Sequence, residues 1–199
     1  MNYPNRNKAI INNNTQKIRN SKLGMALEND INVSNKYYLN NDIAVIYKKP
    51  TPIKIVKVNY QKRSTAKISE AYFKDPSTTD YNGIYKGKYI DFEAKECNSK
   101  TSFPFESIHI HQIEHLDKVE KHGAISFIVL KMAYYNETYL IKSKDFIKYY
   151  YKGERKSISY DWIKTNGYLI EGKYTCPCDY LKKVDEVFKK EIGWTKNIF

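Results

Sequence analysis

The sequence predicts a mixed α/β domain, and three observations point there. Amphipathic helical stripes alternate with short β-branched or aromatic runs, in the order helix, strands, helix, strands, helices. No internal repeat and no long linker divides the 199 residues. The composition, 41% hydrophobic and 15% aromatic, is that of a chain that folds. A single domain over residues 1–199 is expected, burying about two-thirds of the surface its unfolded chain exposes.

Residues 1 to about 21 are rich in Asn, Lys and Arg without an apolar period, and are expected as a flexible basic arm. A helix follows from near Gly24 to Leu39, where Leu27, Ile31 and Tyr38 keep a 3.6-residue stripe. "NND" at Asn40–Asp42 stops it, and "IAVIYKK" reads as a buried strand. From Thr51 to Phe73, β-branched residues mix with Lys54, Lys57, Lys62, Arg63 and Lys67. The apolar face there is too thin for a core strand pair, so the segment is expected to project. "KDPSTTD" is a turn cluster, after which a hairpin forms around Lys86-Gly87. A helix is expected near Glu106–Lys121, ended by Gly123. "AISFIVLKMA" is a strongly apolar strand with "ETYLIKS" beside it. Short helices follow, one from Ser143 where "SKDF" suits an N-cap and one around Asp161. The last begins at Asp179, with Leu181, Val184 and Phe188 on one face.

Net charge is +12 with a pI near 9.3, a field that favours polyanions: nucleic acid first, an acidic membrane surface second. No apolar run approaches the ~20 residues that span a bilayer. "MNYPNRNKAIINNN" lacks the apolar segment of a signal peptide. Three cysteines cannot all pair within one chain, which fits a reducing cytoplasm. "CPC" at Cys176–Cys178, with Cys97 remote, lacks zinc-ribbon spacing.

The chemistry concentrates in "STTDYNGIYKGKYIDFEAKE", Ser77–Glu96, which holds four acids and three lysines. Side chains alternate along a strand, so "YIDFEAKE" puts Tyr89, Asp91, Glu93 and Lys95 on one face. Ile90, Phe92 and Ala94 take the other, free to pack on a core. Asp80 sits at the start of the preceding hairpin arm, giving the pattern D-x(12)-E-x-K. Two carboxylates converging from adjacent strands suit a hard divalent cation. A lysine two positions on can hold the attacking water and offset charge building on phosphorus. A polar strand face with an ordinary Glu–Lys pair would give the same three letters. Gln112 shares a helix stripe with Ile108, Leu116 and Val119, where it is either a satisfied buried amide or an oxygen aimed at the metal. Thr78, in a turn, suits a local cap.

All four histidines fall between His109 and His122, and "HQIEH" spells H-x-x-E-H with His111, Glu114 and His115. A protease of that kind needs a third ligand downstream and a larger substrate chamber, which this chain does not offer. Lys62 and Arg63 at a projecting tip, with Tyr60 alongside, suit nucleic-acid contact, as do Lys57 and Lys67. The arm, with Arg6, Lys8, Lys17, Arg19 and Lys22, suits phosphate backbone.

The triplet resembles the PD-(D/E)XK nuclease superfamily and, more specifically, the RecU family of Holliday-junction resolvases. The resemblance rests on "GMALENDIN", "KKPTPIKIVKV", "KRSTAKISEAYF", "STTDYNGIYKGKYIDFEAKE", "KTSFPFESIHIHQIEH" and "GERKSI", and covers about Gly24 to Phe188. It implies a restriction-endonuclease-like core, a mixed central sheet flanked by helices, with Thr51–Phe73 as a projecting stalk that reaches the junction centre. It also implies a homodimeric, Mg²⁺-dependent endonuclease, with Mn²⁺ as a substitute, that makes paired symmetric nicks across four-way DNA junctions in recombination and repair. Metal ligands carry over onto Thr78, Asp80, Glu93 and Gln112, and the catalytic lysine onto Lys95. Glu28 matches an acid that the superfamily sometimes places beside the metal, although a solvated helix glutamate accounts for it. Recombinase and branch-migration partners, and a cytoplasmic, nucleoid-associated location, follow from the same resemblance. The chain departs from the family at Leu23, where members commonly have arginine, in its short asparagine-rich arm, and in "CPCDYL", which lacks a nearby arginine. Two other readings remain: a flap- or site-specific nuclease of the same superfamily, or a DNA-bridging protein that binds junctions without cutting.

Overall fold

In the computed structural model, which describes residues 13–60, 62–74, 78–153 and 155–192, the chain opens with a long helix, α1 (Asn13–Asn40). Its buried residues, Leu27, Ile31, Ser34, Asn35 and Tyr38, keep to one helical face. It stops where Asp42 takes a left-handed backbone, φ 54°, and the Ile43 N–H reaches back to the Tyr38 carbonyl at 2.9 Å, a common helix closure. The expected start near Gly24 is too late: residues 13–21, expected as part of a flexible arm, are helical. Gln16, Lys17 and Arg19 are good helix formers, but among the described side chains the buried apolar stripe that marks the helix in sequence begins only at Leu27. Residues 1–12 of the expected arm, Arg6 and Lys8 among them, lie outside the described residues, as do the side chains of residues 13–25.

β1 (Val45–Lys48) pairs antiparallel with β4 (Tyr81–Tyr85) and β4 with β5 (Lys88–Cys97). β5 runs parallel to β7 (Ile125–Met132). β8 (Glu137–Lys142) and the short β10 (Tyr168–Leu169) complete the mixed sheet, in the order β1-β4-β5-β7-β8-β10. β1 was expected to be buried, but it lies at the sheet edge and only Ile46 of its four residues is buried. The β4–β5 hairpin turns at Lys86 and Gly87, both at positive φ (48° and 75°), as a tight two-residue turn requires. The parallel step from β5 to β7 passes through β6 (Ser102–Pro104), a single 3₁₀ turn at Phe105–Ser107 and α2 (Ile110–Lys121). The helix expected from Glu106 therefore begins four residues later, after that turn. β6 pairs with β9 (Ser157–Ser159) as a small separate sheet.

Helices cover both sheet faces. α1 and α5 (Tyr180–Val187) lie on the face carrying Tyr81, Ile90, Phe92 and Phe127. α2, α3 (Ser143–Tyr151) and α4 (Tyr160–Asn166) pack with Ile128, Leu130 and Ile141 on the other. Ser143, expected as an N-cap, is instead buried within the first turn of α3, and Lys142 holds the cap position. A short α6 (Lys189–Ile192) follows α5. Phe92 stacks between Tyr81 and Phe127 at 4.9 and 4.8 Å, and burying such a ring contributes about 2 kcal/mol. This packing fixes one face of β5, and with it the direction in which the alternate residues point.

The segment expected to project forms its own ribbon, β2 (Ile53–Asn59) antiparallel to β3 (Lys67–Phe73), outside the main sheet. Every β3 residue is exposed, and in β2 only Val58 is partly covered.

Candidate active site

The alternation of β5 sends Asp91, Glu93 and Lys95 to the side where α2 lies. Glu93 is fully buried, and three groups from separate elements meet it. Lys95 Nζ stands 2.8 Å from Glu93 Oε1. The Gln112 amide, from the first turn of α2, donates to the same oxygen at 2.7 Å. The backbone N–H of Asp80 donates to Glu93 Oε2 at 3.1 Å, while the Asp80 carboxylate accepts from the Ala94 N–H at 3.4 Å. Asp80, Glu93, Lys95 and Gln112 thus converge on one point. Gln112 is held in place because its own Oε1 accepts from the His109 N–H at 3.0 Å.

Burial pushes the Glu93 carboxyl up to about 8; Lys95 pulls it down and the Asp80 carboxylate raises it again. One ammonium does not offset two crowded acids. That imbalance, with the Asp80 and Glu93 carboxylates at hand and the Thr78 hydroxyl nearby, fits a hard divalent cation that keeps several waters of its own. The Gln112 oxygen, expected to be aimed at the metal, instead accepts from the His109 N–H, and the amide nitrogen faces Glu93. Thr78 is half-buried two residues before Asp80. It lines a cleft of about 500 Å³ with Asp80, Glu28, Lys48 and Lys49, and among the described residues its side chain is not hydrogen-bonded to the acids. Glu28, expected to be solvated, is half-exposed and paired with Lys48 at 2.6 Å. Among the described residues no group of three or more His, Cys, Asp or Glu gathers to hold a metal.

Asp91 anchors a second cluster that the sequence did not disclose. It is fully buried, with Lys49 Nζ at 2.9 Å, Tyr89 Oη at 2.9 Å and His115 Nε2 at 3.1 Å. The Thr79 hydroxyl donates to its other oxygen, and Lys49 also donates to Thr79 at 2.9 Å. The backbone supports this junction. β1 presses so closely on β4 that a Cβ at Gly83 would stand 2.1 Å from the Val45 carbonyl, and the Lys49 N–H reaches the Asp80 carbonyl at 2.7 Å. The loop that carries Thr78 and Asp80 is tied to β1 and β5 together. Asp91 was visible as a neighbour of Glu93 by alternation, but Lys49 and His115 come from 42 and 24 residues away and leave no local pattern.

The histidines of H-x-x-E-H do not share a metal-binding group: His115 turns to Asp91, while the His111 ring stacks on His109 at 5.3 Å. Of the residues expected to hold DNA, Lys57, Lys62 and Lys67 lie on or beside the ribbon, exposed. Among the described residues they form no ion pair. Arg63 begins a 3₁₀ turn at Arg63–Thr65, and its side chain, like those of Arg19 and Lys22 in α1, lies outside the described part. Lys57, Lys62 and Lys67 form no ion pair with the acid cluster.

A mixed sheet that brings two carboxylates, an amine and an amide to one point has the make-up of a hydrolytic enzyme centre. The particular family follows from comparison: the chain belongs to the RecU family, whose model, described as Recombination protein U, matches residues 22–186. It is 48% identical over 195 residues to the Holliday junction resolvase RecU of Oceanobacillus iheyensis, covering 94% of this chain and 100% of that one. It is 49% identical over 171 residues to the protein of the same name from Bacillus cereus, covering 84% and 86%. A solved structure of Hjc, a Holliday junction resolvase from Archaeoglobus fulgidus, aligns at 12% identity with a TM-score of 0.42, over 73% of this chain and 94% of that one.

Proposed function

We propose that this chain is a Mg²⁺-dependent endonuclease that resolves four-way DNA junctions by paired symmetric nicks. The observation that carries this reading is the meeting of Lys95, Gln112 and the Asp80 loop on the buried Glu93 carboxylate. Family membership and the names of the relatives supply the substrate. Asp80 and Glu93 would hold the ion, with Thr78 and Gln112 beside them; Mn²⁺ would substitute. An ion held there would supply Lewis acidity, making a nearby water more acidic and offsetting charge on the phosphate. Lys95, fixed by Glu93, orients that water and offsets the charge that develops on the phosphoryl oxygens. Gln112 holds the same Glu93 oxygen that Lys95 approaches. The water oxygen bonds to phosphorus as one bridging P–O bond breaks, leaving a phosphate end and a hydroxyl end.

Two such sites related by two-fold symmetry in a homodimer cut opposed strands in concert. The exposed ribbon, with Lys57, Lys62, Arg63 and Lys67, supports reading of junction shape rather than base edges. Arg19 and Lys22 add backbone contact. No helix among the described residues is long and apolar enough to cross a membrane, and action on cytoplasmic, nucleoid DNA beside recombinase and branch-migration proteins belongs to the same proposal.

The test is a labelled four-way junction incubated with and without Mg²⁺, alongside flaps and plain duplex. Symmetric nicks on the junction alone, dependent on Mg²⁺, are expected. Asp80→Asn should abolish nicking and keep junction binding at moderate salt. Preferential cutting of flaps would favour the related nuclease reading, and binding without any cutting would favour the bridging one.

A further inference from the structure

Two of the strings singled out in the sequence, "KTSFPFESIHIHQIEH" and "GERKSI", have no part in the acid cluster beyond Gln112, yet the fold joins them. The β6–β9 ladder aligns Ser102 with Ser159, Phe103 with Ile158 and Pro104 with Ser157, and the Phe105 N–H extends it to the Lys156 carbonyl at 3.0 Å. Arg155 and Lys156 are thereby carried to the start of α2. Between them lies a cleft of about 850 Å³ lined by Ser102, Phe105, His109, Tyr150, Arg155 and Lys156, among others. Arg155 and Lys156 are exposed and form no ion pair among the described residues. Among the described residues that line the cleft, Glu106 is the one acid.

This cleft is coupled to the acid cluster by one short chain of bonds. His109 forms part of its wall, and the His109 backbone N–H holds Gln112 at 3.0 Å. Gln112 in turn donates to Glu93 at 2.7 Å. A strand that leaves Glu93 and Lys95 along the first turn of α2 therefore meets Arg155 and Lys156 next. A guanidinium and an ammonium with two serine hydroxyls nearby, Ser102 and Ser157, match phosphate oxygens by charge and hydrogen-bond type. Phe105 and Tyr150, packed edge to face at 4.7 Å, give a rigid apolar wall of the kind a sugar or base lies against.

We propose that the β6–β9 cleft is a phosphate subsite that grips the cut strand's backbone beside the scissile position, through Arg155 and Lys156. It rests on the endonuclease reading and adds a grip on the strand separate from the ribbon. Contacts of this kind set affinity and register without reading sequence.

The test uses the full chain and a labelled four-way junction, with binding measured without divalent metal across a salt series. Arg155→Ala with Lys156→Ala should weaken binding about tenfold. It should also make the slope of log affinity against log salt shallower by about 1.8, the share of two phosphate contacts. A junction with a neutral methylphosphonate linkage next to the cut should weaken the unaltered protein and leave the double variant no weaker than before. The charge-preserving pair Arg155→Lys with Lys156→Arg should recover most of the affinity, and it keeps the test valid if the alanine pair folds poorly. Unchanged affinity and slope in a folded alanine pair would overturn the subsite, as would loss of binding in the charge-preserving pair. If the unaltered protein binds the junction but does not nick it with Mg²⁺, the endonuclease reading fails, whereas the salt slope still reports on the cleft.

Discussion

Asp91 and Glu93 stand two residues apart on one face of one strand, and both are fully buried, yet they live in opposite surroundings. Asp91 is enclosed by Lys49, His115, Tyr89 and Thr79. Glu93 has one ammonium, Lys95, is crowded by the Asp80 carboxylate, and is pushed up to about 8 by burial. The first acid is satisfied by the chain itself and acts as a fastener between β1, β5 and α2. The second is left short of positive charge, which is the condition under which a divalent cation gains most by entering. Burial alone does not mark a working acid; what matters is whether the protein has already answered its charge.

Substitutions that trade these environments test the comparison. The largest effect is expected from Glu93→Gln, which should lower nicking by roughly 10³-fold or more, the scale of removing a central electrostatic group. Urea unfolding should show a smaller loss, about 1 kcal/mol, since the one amide oxygen can accept from Lys95 and Gln112 or from the Asp80 N–H but not from both. Asp91→Ala should invert that pattern. It strands Lys49 and His115 and should cost about 3 kcal/mol in the same unfolding experiment, so a stable Asp91→Ala protein would dissolve the distinction.

A pH series sharpens it further. The folded state raises the Glu93 carboxyl from 4.5 to about 8, so the folded protein binds that proton more tightly than the unfolded chain. The associated stability is present in full below about 4.5 and is lost as the pH rises towards about 8. Metal-free protein should therefore lose stability across this window, Glu93→Gln should flatten the trend, and Mg²⁺ should do so by favouring the ionised acid. The smallest effect is expected from Tyr89→Phe, which removes one bond to Asp91 and should cost about 1 kcal/mol without changing that pH trend.

Much of this site was legible before any coordinates. The alternation of "YIDFEAKE" put Asp91, Glu93 and Lys95 on one face, and Phe92 packs where the alternate register required. Gln112 was placed on the sheet-facing stripe of α2, and it is buried there. The Lys86-Gly87 turn followed from residues that tolerate positive φ. What was missed depends on pairing between distant segments. Lys49 reaches Asp91 only because β1 lies against β4, and Arg155 reaches the start of α2 only because β9 pairs with β6. The early turns of α1 were missed for another reason: propensity without an apolar period carries no signature of where the helix begins.

The ribbon has a consequence of its own. Almost none of its side chains is covered by the body, so exchanging its exposed residues should typically shift folding free energy by no more than about 0.5 kcal/mol. A loop of this kind can be swapped, shortened or recharged while the hydrolytic machinery keeps its geometry. On the proposed function, the part that would choose a branched substrate stands apart from the part that would break it, and the two could be retuned one at a time.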